Sequence, residues 1–320
     1  MTQASPLVLL TGVNGFVGQH MAACLLEHGM DVVGIGRRAF CELQHPRLAY
    51  ISGDMAQESF IKRLVTAHSF TYIIHLAGAN DVSTSYKDPV SVMEANAWST
   101  LQLLEAVRTD SAAGLQGFLA IGTAYEYDLE AVPAAPLAET APLLPGSPYA
   151  WSKLVMGAIV QMYGRVYGIP ALLARTFNLI GPGPATGVCA VLAKQVAQME
   201  KGLLPPKLHV GNTTVRRDFL DVRDAVEAYL TLLPLASSAP GSVYNVCSGK
   251  AVSISAIIDL LKRCANVPFE VTIDKRLIRP SEAAIVQGDH AKLRQATSWQ
   301  PGIPLAQTVL DTLNYYRSLV

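Results

Sequence analysis

Tyr149 and Lys153 lie four residues apart in the stretch Ser147-Pro148-Tyr149-Ala150-Trp151-Ser152-Lys153. On a helix that spacing puts a phenol and an ammonium on one face. A free tyrosine titrates near ~10, too high to exchange a proton readily at neutral pH. A fixed cation beside it favours the phenolate and is expected to pull that value down. The pair would then serve as a general acid/base that protonates a carbonyl or deprotonates an alcohol. Tyr-x-x-x-Lys alone is a weak signal, and its meaning depends on what surrounds it.

The elements needed to position that pair begin at the N-terminal end. Leu7 to Leu10 is an apolar run of strand length, followed by Thr11-Gly12-Val13-Asn14-Gly15-Phe16-Val17-Gly18. Phe16 to His28 reads as a helix with Met21, Cys24 and Leu25 on its apolar side and Gly29 as its stop. Three glycines between a strand and a helix are the setting of a dinucleotide fingerprint. Gly12 permits the tight turn, Gly15 admits a pyrophosphate and Gly18 allows close helix–strand packing. The free N–H groups of the helix then face the phosphates. Asp31 to Gly36 is the second strand, and Arg37-Arg38 follows it where a carboxylate would select the ribose of NAD. Two guanidinium groups suit a 2′-phosphate instead, so NADP(H) is favoured and NAD(H) stays open.

The 320 residues are half hydrophobic, with 25 basic and 25 acidic side chains. That length suits one large α/β domain and a smaller lobe. Balanced charge argues against nucleic acid as a partner. No apolar segment approaches a membrane span, and no secretory leader is apparent, so a cytoplasmic protein is expected. The cysteines (Cys24, Cys41, Cys189, Cys247, Cys264) never fall as Cys-x-x-Cys, and the seven histidines show no ligand spacing, so no metal is expected. His75 reads as a packed residue.

Strand-like runs alternate with helical ones. Leu48 to Gly53, Tyr72 to His75, Gly117 to Gly122 and Ala171 to Arg175 read as strands. Gln57 to His68, Pro89 to Thr109 and Tyr149 to Tyr167 read as helices. The alternation predicts an α/β fold with a doubly wound parallel sheet of the Rossmann kind. Past Gly181 the alternation weakens, where a smaller C-terminal α/β lobe is expected. A helix at Val222 to Leu233 and a strand at Val243 to Val246 return to the large domain.

With these pieces placed, the chain resembles the extended short-chain dehydrogenase/reductases that act on nucleotide sugars. The resemblance rests on the glycine motif, His75-Leu76-Ala77-Gly78, Asn96, Thr123, Tyr149-x-x-x-Lys153 and Arg175-Thr176-Phe177-Asn178. It implies that Thr123 bonds the substrate oxygen beside Tyr149 and that Lys153 also holds the nicotinamide ribose. It extends the cofactor set to Asn14, Phe16, Val17, Asp54, Met55, Leu76, Ala77, Gly78 and Asn96. Arg217-Asp218-Phe219-Leu220-Asp221-Val222, Tyr244 to Gly249, Arg279-Pro280-Ser281-Glu282 and Trp299-Gln300-Pro301 are similar to the GDP-6-deoxy-4-keto-D-mannose reductases that form GDP-D-rhamnose. By that likeness Arg217 and Arg279 would hold the diphosphate, with Asn178, Lys194 and Glu282 further substrate candidates. Residues 1-178 plus 222-250 would form the dinucleotide-binding domain, and 179-221 plus 251-320 the nucleotide-sugar-binding lobe.

The activity implied is NADP(H)-dependent reduction of the C4 ketone of a nucleotide-linked 4-keto-6-deoxy hexose. An NAD-dependent 4-epimerase and a non-catalytic dinucleotide-sensing regulator remain as alternatives. Related dehydratases carry an acid two residues after the threonine, where this chain has Tyr125. Glu126 is one residue further, and in an extended segment it should face the other way. Leu101, Leu104, Val107, Val155, Met156, Ile159 and Met162 exceed what one sheet contact needs, so these two helices are expected to pair in a homodimer.

Overall fold

The computed structural model describes residues 5–110, 114–130, 136–278 and 283–320. In chain order the first elements are β1 (Leu7–Thr11), α1 (Phe16–Glu27), β2 (Asp31–Gly36), β3 (Leu48–Ser52), α2 (Glu58–Ala67) and β4 (Tyr72–His75). Then come α3 (Val82–Ser85), α4 (Pro89–Met93), a π-helical turn (Glu94–Trp98), α5 (Ser99–Asp110), β5 (Gly117–Thr123), a 3-10 turn (Ala124–Glu126), α6 (Pro148–Tyr167) and β6 (Ala171–Thr176). The rest are β7 (Asn178–Ile180), α7 (Val188–Glu200), β8 (Lys207–Val210), β9 (Arg216–Asp221), α8 (Val222–Leu232) and β10 (Val243–Val246), then β11 (Ala251–Ser253), α9 (Ile254–Cys264), β12 (Glu270–Ile273), β13 (Ile285–Val286), α10 (Ala291–Thr297) and α11 (Leu305–Arg317).

Seven strands form one sheet in the order β10-β6-β5-β4-β1-β2-β3. The pairs from β3 through β6 are parallel. The chain winds outward from β1 to β3, then crosses back to β4 on the other side of β1. That reversal opens a crevice at the carboxyl ends of the strands, where open α/β sheets take ligands. The expected doubly wound sheet is therefore present.

Helix α6 starts and stops where its sequence says it should. The Ser147 hydroxyl accepts the Ala150 N–H, Pro148 fills the first turn, and Gly168 ends the helix in the left-handed region at φ 67°. The helix predicted over 89–109 is interrupted by its π-helical turn. Such turns are rare and recur at functional sites, and this one carries Asn96.

Contacts divide the chain into two compact units. The first comprises Met1–Asp128, Pro142–Thr176 and Val226–Tyr244, and the second Leu129–Ala141, Phe177–Ala225 and Asn245–Val320. In the first, Leu9, Ile73, Phe118 and Leu173 of the sheet pack with Leu104 and Val107 of α5 and with Met156 and Val160 of α6. Leu104, Val107 and Met156 thus belong to the core, not to the spare apolar face expected of them; among the seven, Val155 and Met162 are exposed. The outer faces instead expose Val90, Trp98, Trp151 and Val166. The second unit packs α7, α9 and α11 around Leu192, Val196, Ile257, Leu261 and Leu313. Its strands form a four-stranded sheet, with β9 flanked by β7, β11 and β13, and a β12-β8 pair. Among the described residues no helix is long and apolar enough to cross a membrane.

Candidate active site

The glycine loop after β1 is shaped by contacts a side chain would break. Gly12 adopts φ +77°, and a Cβ there would lie 2.9 Å from the Ala77 amide nitrogen. A Cβ on Gly18 would lie 2.1 Å from the Gly12 carbonyl oxygen. No side chain caps the first turn of α1, and no acidic residue lies in it. A ladder of uncapped N–H groups behind a glycine turn is chemically matched to a pyrophosphate. Asn14 adds a buried Oδ1 that lacks a protein partner among the described residues.

The Asn14 amide nitrogen donates to the Phe40 carbonyl and to the Tyr50 hydroxyl, which donates in turn to the Arg38 carbonyl. This chain of bonds ties the glycine loop to the basic turn after β2. Arg37 and Arg38 are exposed there, and the Arg38 guanidinium meets Glu42 at 2.8 Å. The residues therefore fit a phosphorylated dinucleotide. Asp54 follows β3 and accepts the Ala56 N–H, while Met55 is buried beside it.

After β4 the chain passes Leu76, Ala77 and Gly78. Thr11 Oγ1 accepts the Ala77 N–H and lies 2.8 Å from His75 Nδ1. His75 is packed, as its sequence position suggested, and burial, then the charge of Lys153, lowers its pKa to about 3. Asn96 is fully buried, and its amide clamps both backbone groups of Ala79 and donates to Ser152 Oγ. It anchors the loop carrying Gly78 to α6, so its amide is committed to protein. Gly78 lies close to both Asn96 and Lys153: a Cβ on it would come 2.4 Å from Asn96 Oδ1 and 3.7 Å from Lys153 Nζ.

Thr123, Tyr149 and Lys153 come together in the first unit, at the end of β5 and the start of α6. All three are buried, and the Thr123 hydroxyl bonds the Tyr149 phenol. The Lys153 ammonium points inward and donates to the Ile121 carbonyl at 2.9 Å. The expectation that Lys153 acidifies the phenol does not hold here. Burial pushes Tyr149 up to about 12 against the lowering effect of the Thr123 bond. Burial also brings Lys153 down to about 8, opposed by Glu126. Lys153 does not offset the burial of Tyr149, because its ammonium is turned to a strand carbonyl. The site therefore holds a protonated phenol, ready to donate.

The segment after Thr123 is a 3-10 turn, not an extended run. Tyr125 is partly exposed, while Glu126 folds back into the protein, fully buried. Thr123-x-x-Glu126 is a capping-box pattern, and that spacing is the sequence signal for the buried Glu126.

In the second unit Asn178 donates to the Asp218 carbonyl from β7. Lys194 is exposed on α7. Arg217 is buried on β9, where its Nη1 donates to the Arg216 and Ala283 carbonyls. Asp218 gathers the N–H groups of Ser248, Gly249 and Gly288. Arg279 and Glu282 lie outside the described residues.

One group among the described residues could hold a metal ion, Cys24, His28 and Glu227. The histidine spacing judged uninformative does place Cys24 and His28 one helical turn apart. Burial, then Glu227, pushes the Cys24 thiol up to about 12, and that thiol donates to the carboxylate at 3.4 Å.

Comparison with known proteins bears on all of this. GDP-6-deoxy-D-mannose reductase of Pseudomonas aeruginosa is 35% identical over 314 residues, covering 98% of each chain. The solved structure of RMD from Pseudomonas aeruginosa complexed with NADPH superposes with a TM-score of 0.84, at 35% identity over 99% of this chain and 100% of that one. UDP-glucose 4-epimerase of Azospirillum brasilense is 28% identical over 337 residues, 99% of this chain and 94% of its own. Residues 9–312 match the family described as GDP-mannose 4,6 dehydratase, and the chain belongs to that family.

Proposed function

We propose that this protein uses NADP(H) to reduce the C4 ketone of a nucleotide-linked 4-keto-6-deoxy hexose, converting GDP-4-dehydro-6-deoxy-D-mannose to GDP-D-rhamnose. One observation carries the reading: a buried, protonated Tyr149 phenol bonded to Thr123, with Tyr125 where a dehydratase would need its acid. The likeness to a GDP-6-deoxy-D-mannose reductase and to a structure complexed with NADPH supports it.

The bound dinucleotide supplies the hydride. Gly12, Asn14, Gly15, Phe16, Val17 and Gly18 would seat its pyrophosphate, and Arg37 and Arg38 its 2′-phosphate. Asp54 and Met55 would border the adenine, and Leu76, Ala77 and Gly78 the ribose side. Thr123 orients the ketone oxygen, and Tyr149 gives it a proton as negative charge develops there. Lys153 supports the oxygen electrostatically from within a low-dielectric pocket. Arg217 and Arg279 would hold the remote diphosphate, whose binding fixes the keto carbon in place. Asn178, Lys194 and Glu282 are weaker candidates for the same lobe. The first compact unit would serve the cofactor, and the second the nucleotide sugar.

Mixing the protein with NADPH and GDP-4-dehydro-6-deoxy-D-mannose should consume nicotinamide absorbance. An NAD-dependent epimerase would instead carry a bound NAD through purification and leave the absorbance unchanged, since it recycles that cofactor; no absorbance change and no co-purified NAD would favour the dinucleotide-sensing regulator. The exposed Val90, Trp98, Trp151, Val155, Met162 and Val166 support a homodimer built on the outer faces of α4 through α6. Light scattering should return about twice the 34.3 kDa chain mass. A cytoplasmic location accords with this role.

A further inference from the structure

Thr123 is gripped from behind by a carboxylate. Glu126 Oε1 accepts the Thr123 N–H at 2.7 Å, and Oε2 accepts the Arg175 Nε–H at 2.9 Å. Burial raises the Glu126 pKa, and the Arg175 charge and the two N–H donors on its oxygens oppose that by favouring the carboxylate. Glu126 is 0% exposed and Arg175 2%. The guanidinium is itself fixed, since Nη1 donates to the Tyr127 hydroxyl at 3.1 Å and its carbon lies 4.7 Å from the centre of that ring.

Space for the carboxylate exists because position 122 is glycine, and Gly157 borders its other oxygen. A Cβ on Gly122 would lie 2.4 Å from Oε1, and one on Gly157 3.6 Å from Oε2. Gly157 stands one turn along α6 from Lys153, so Glu126 lies against the helix face that carries the ammonium. A buried ion pair is often no more stabilising than apolar packing of equal volume. Stability alone therefore does not account for one placed directly behind the catalytic hydroxyl.

We propose that Glu126 is a positioning residue: tethered by Arg175, its carboxylate fixes the backbone that aims the Thr123 hydroxyl and sets a negative charge behind Lys153. The charged and titratable groups facing this corner are Arg175 from β6, Lys153 and Tyr149 from α6, Tyr125 from the turn, His75 from β4 and Tyr229 from α8. Glu126 raises the pKa of both Tyr149 and Lys153. Its neutralisation should therefore move both titrations to lower pH.

The kinetic part of the test rests on the reductase reading, and the spectroscopic part does not. Glu126→Gln keeps an acceptor for Thr123 and removes the charge. The double variant Glu126→Met/Arg175→Met removes acceptor and both charges at similar volume. Glu126→Gln should shift the alkaline limb of kcat downward by about half a pH unit or more. The double variant, folded by circular dichroism, should lose about tenfold or more in kcat while KM for NADPH stays within about twofold. The Tyr149 phenol, read by 13Cζ-tyrosine NMR and assigned with Tyr149→Phe, should titrate at lower pH in Glu126→Gln. A merely structural pair would leave folded variants with wild-type kcat and an unmoved Tyr149 titration, which overturns the proposal. Loss of fold in both variants would also overturn it. A wild type that turns over no keto sugar would sink the reductase reading, while the Tyr149 titration still decides this one.

Discussion

Lys153 is 8% exposed and donates to a strand carbonyl, while the Arg38 side chain is more than half exposed and meets Glu42 in solvent. Both are cations of the first unit, placed after strands of the same sheet. The protein pays for Lys153 in desolvation and gains a group whose protonation responds to its surroundings. Around Arg38, water screens what its charge can do. The contrast suggests a division of labour. On the proposed function, the buried, multiply bonded corner would govern the rate of chemistry, whereas the solvated turn would set a modest preference between cofactors.

The corner should break hardest. Tyr149→Phe removes the proton donor while keeping the ring, and kcat should fall by about 10³-fold with little change in melting temperature. Turnover within about tenfold of wild type would refute the acid assignment.

Lys153 gives a second test because activity and stability should respond to pH with opposite signs. Its folded pKa, about 8, lies below its ordinary 10.5. Activity that needs the ammonium should therefore decline as pH rises through about 8. Between those two values the unfolded chain binds more protons than the folded one, so Lys153 makes stability rise with pH across the same window. Below about 8 the full cost of burying the ammonium is felt. Lys153→Met should lose this alkaline gain in stability as well as most activity. A stability profile identical to wild type between pH 8 and 10 would show that the ammonium is not desolvated.

These regions also differ in how well the sequence announces them. The strands Asp31–Gly36 and Tyr72–His75 were legible to the residue, because a buried parallel strand is a short, mostly apolar run between turn residues. The fingerprint glycines were legible because backbone geometry demands them. The small strands of the second unit were not. Asn178–Ile180 pairs with Phe219–Asp221, and Ile285–Val286 with Arg216–Arg217, pairings across tens of residues with no local pattern to mark them. The π-helical turn at Glu94–Trp98 was hidden because composition cannot show a slipped hydrogen bond. Here the slip accompanies the Asn96 amide clamping Ala79. The protonation of Tyr149 was misjudged for a related reason. Spacing puts two side chains on one helical face but does not say how deeply each is buried or where each is turned; burial raises the phenol, and the ammonium bonds the Ile121 carbonyl instead.

The basic turn should yield more gently. Arg37→Ala/Arg38→Ala removes charge-assisted bonds to a 2′-phosphate at a solvated turn, together worth roughly 1.5–3 kcal/mol. KM for NADPH should rise by about 10- to 100-fold while KM for NADH stays within about twofold. Equal losses for the two cofactors would place the arginines on a group the two share.

The smallest effect concerns the acid that already holds Arg38. Glu42 is a turn away along the chain and half exposed, so its ion pair is worth only about 0.2–1 kcal/mol. A 2′-phosphate must nonetheless compete with it for the same guanidinium. Glu42→Gln removes that competition and the local negative charge, so KM for NADPH should fall by about 1.5- to 5-fold, with NADH unaffected. The gain should fade as salt approaches about 0.5 M, because the Debye length there is shorter than the reach of a solvated side chain. An improvement that survives high salt would mean that Glu42 acts through packing of the turn. The comparison with Lys153 would then fail at its exposed end, since the turn too would be governed by geometry.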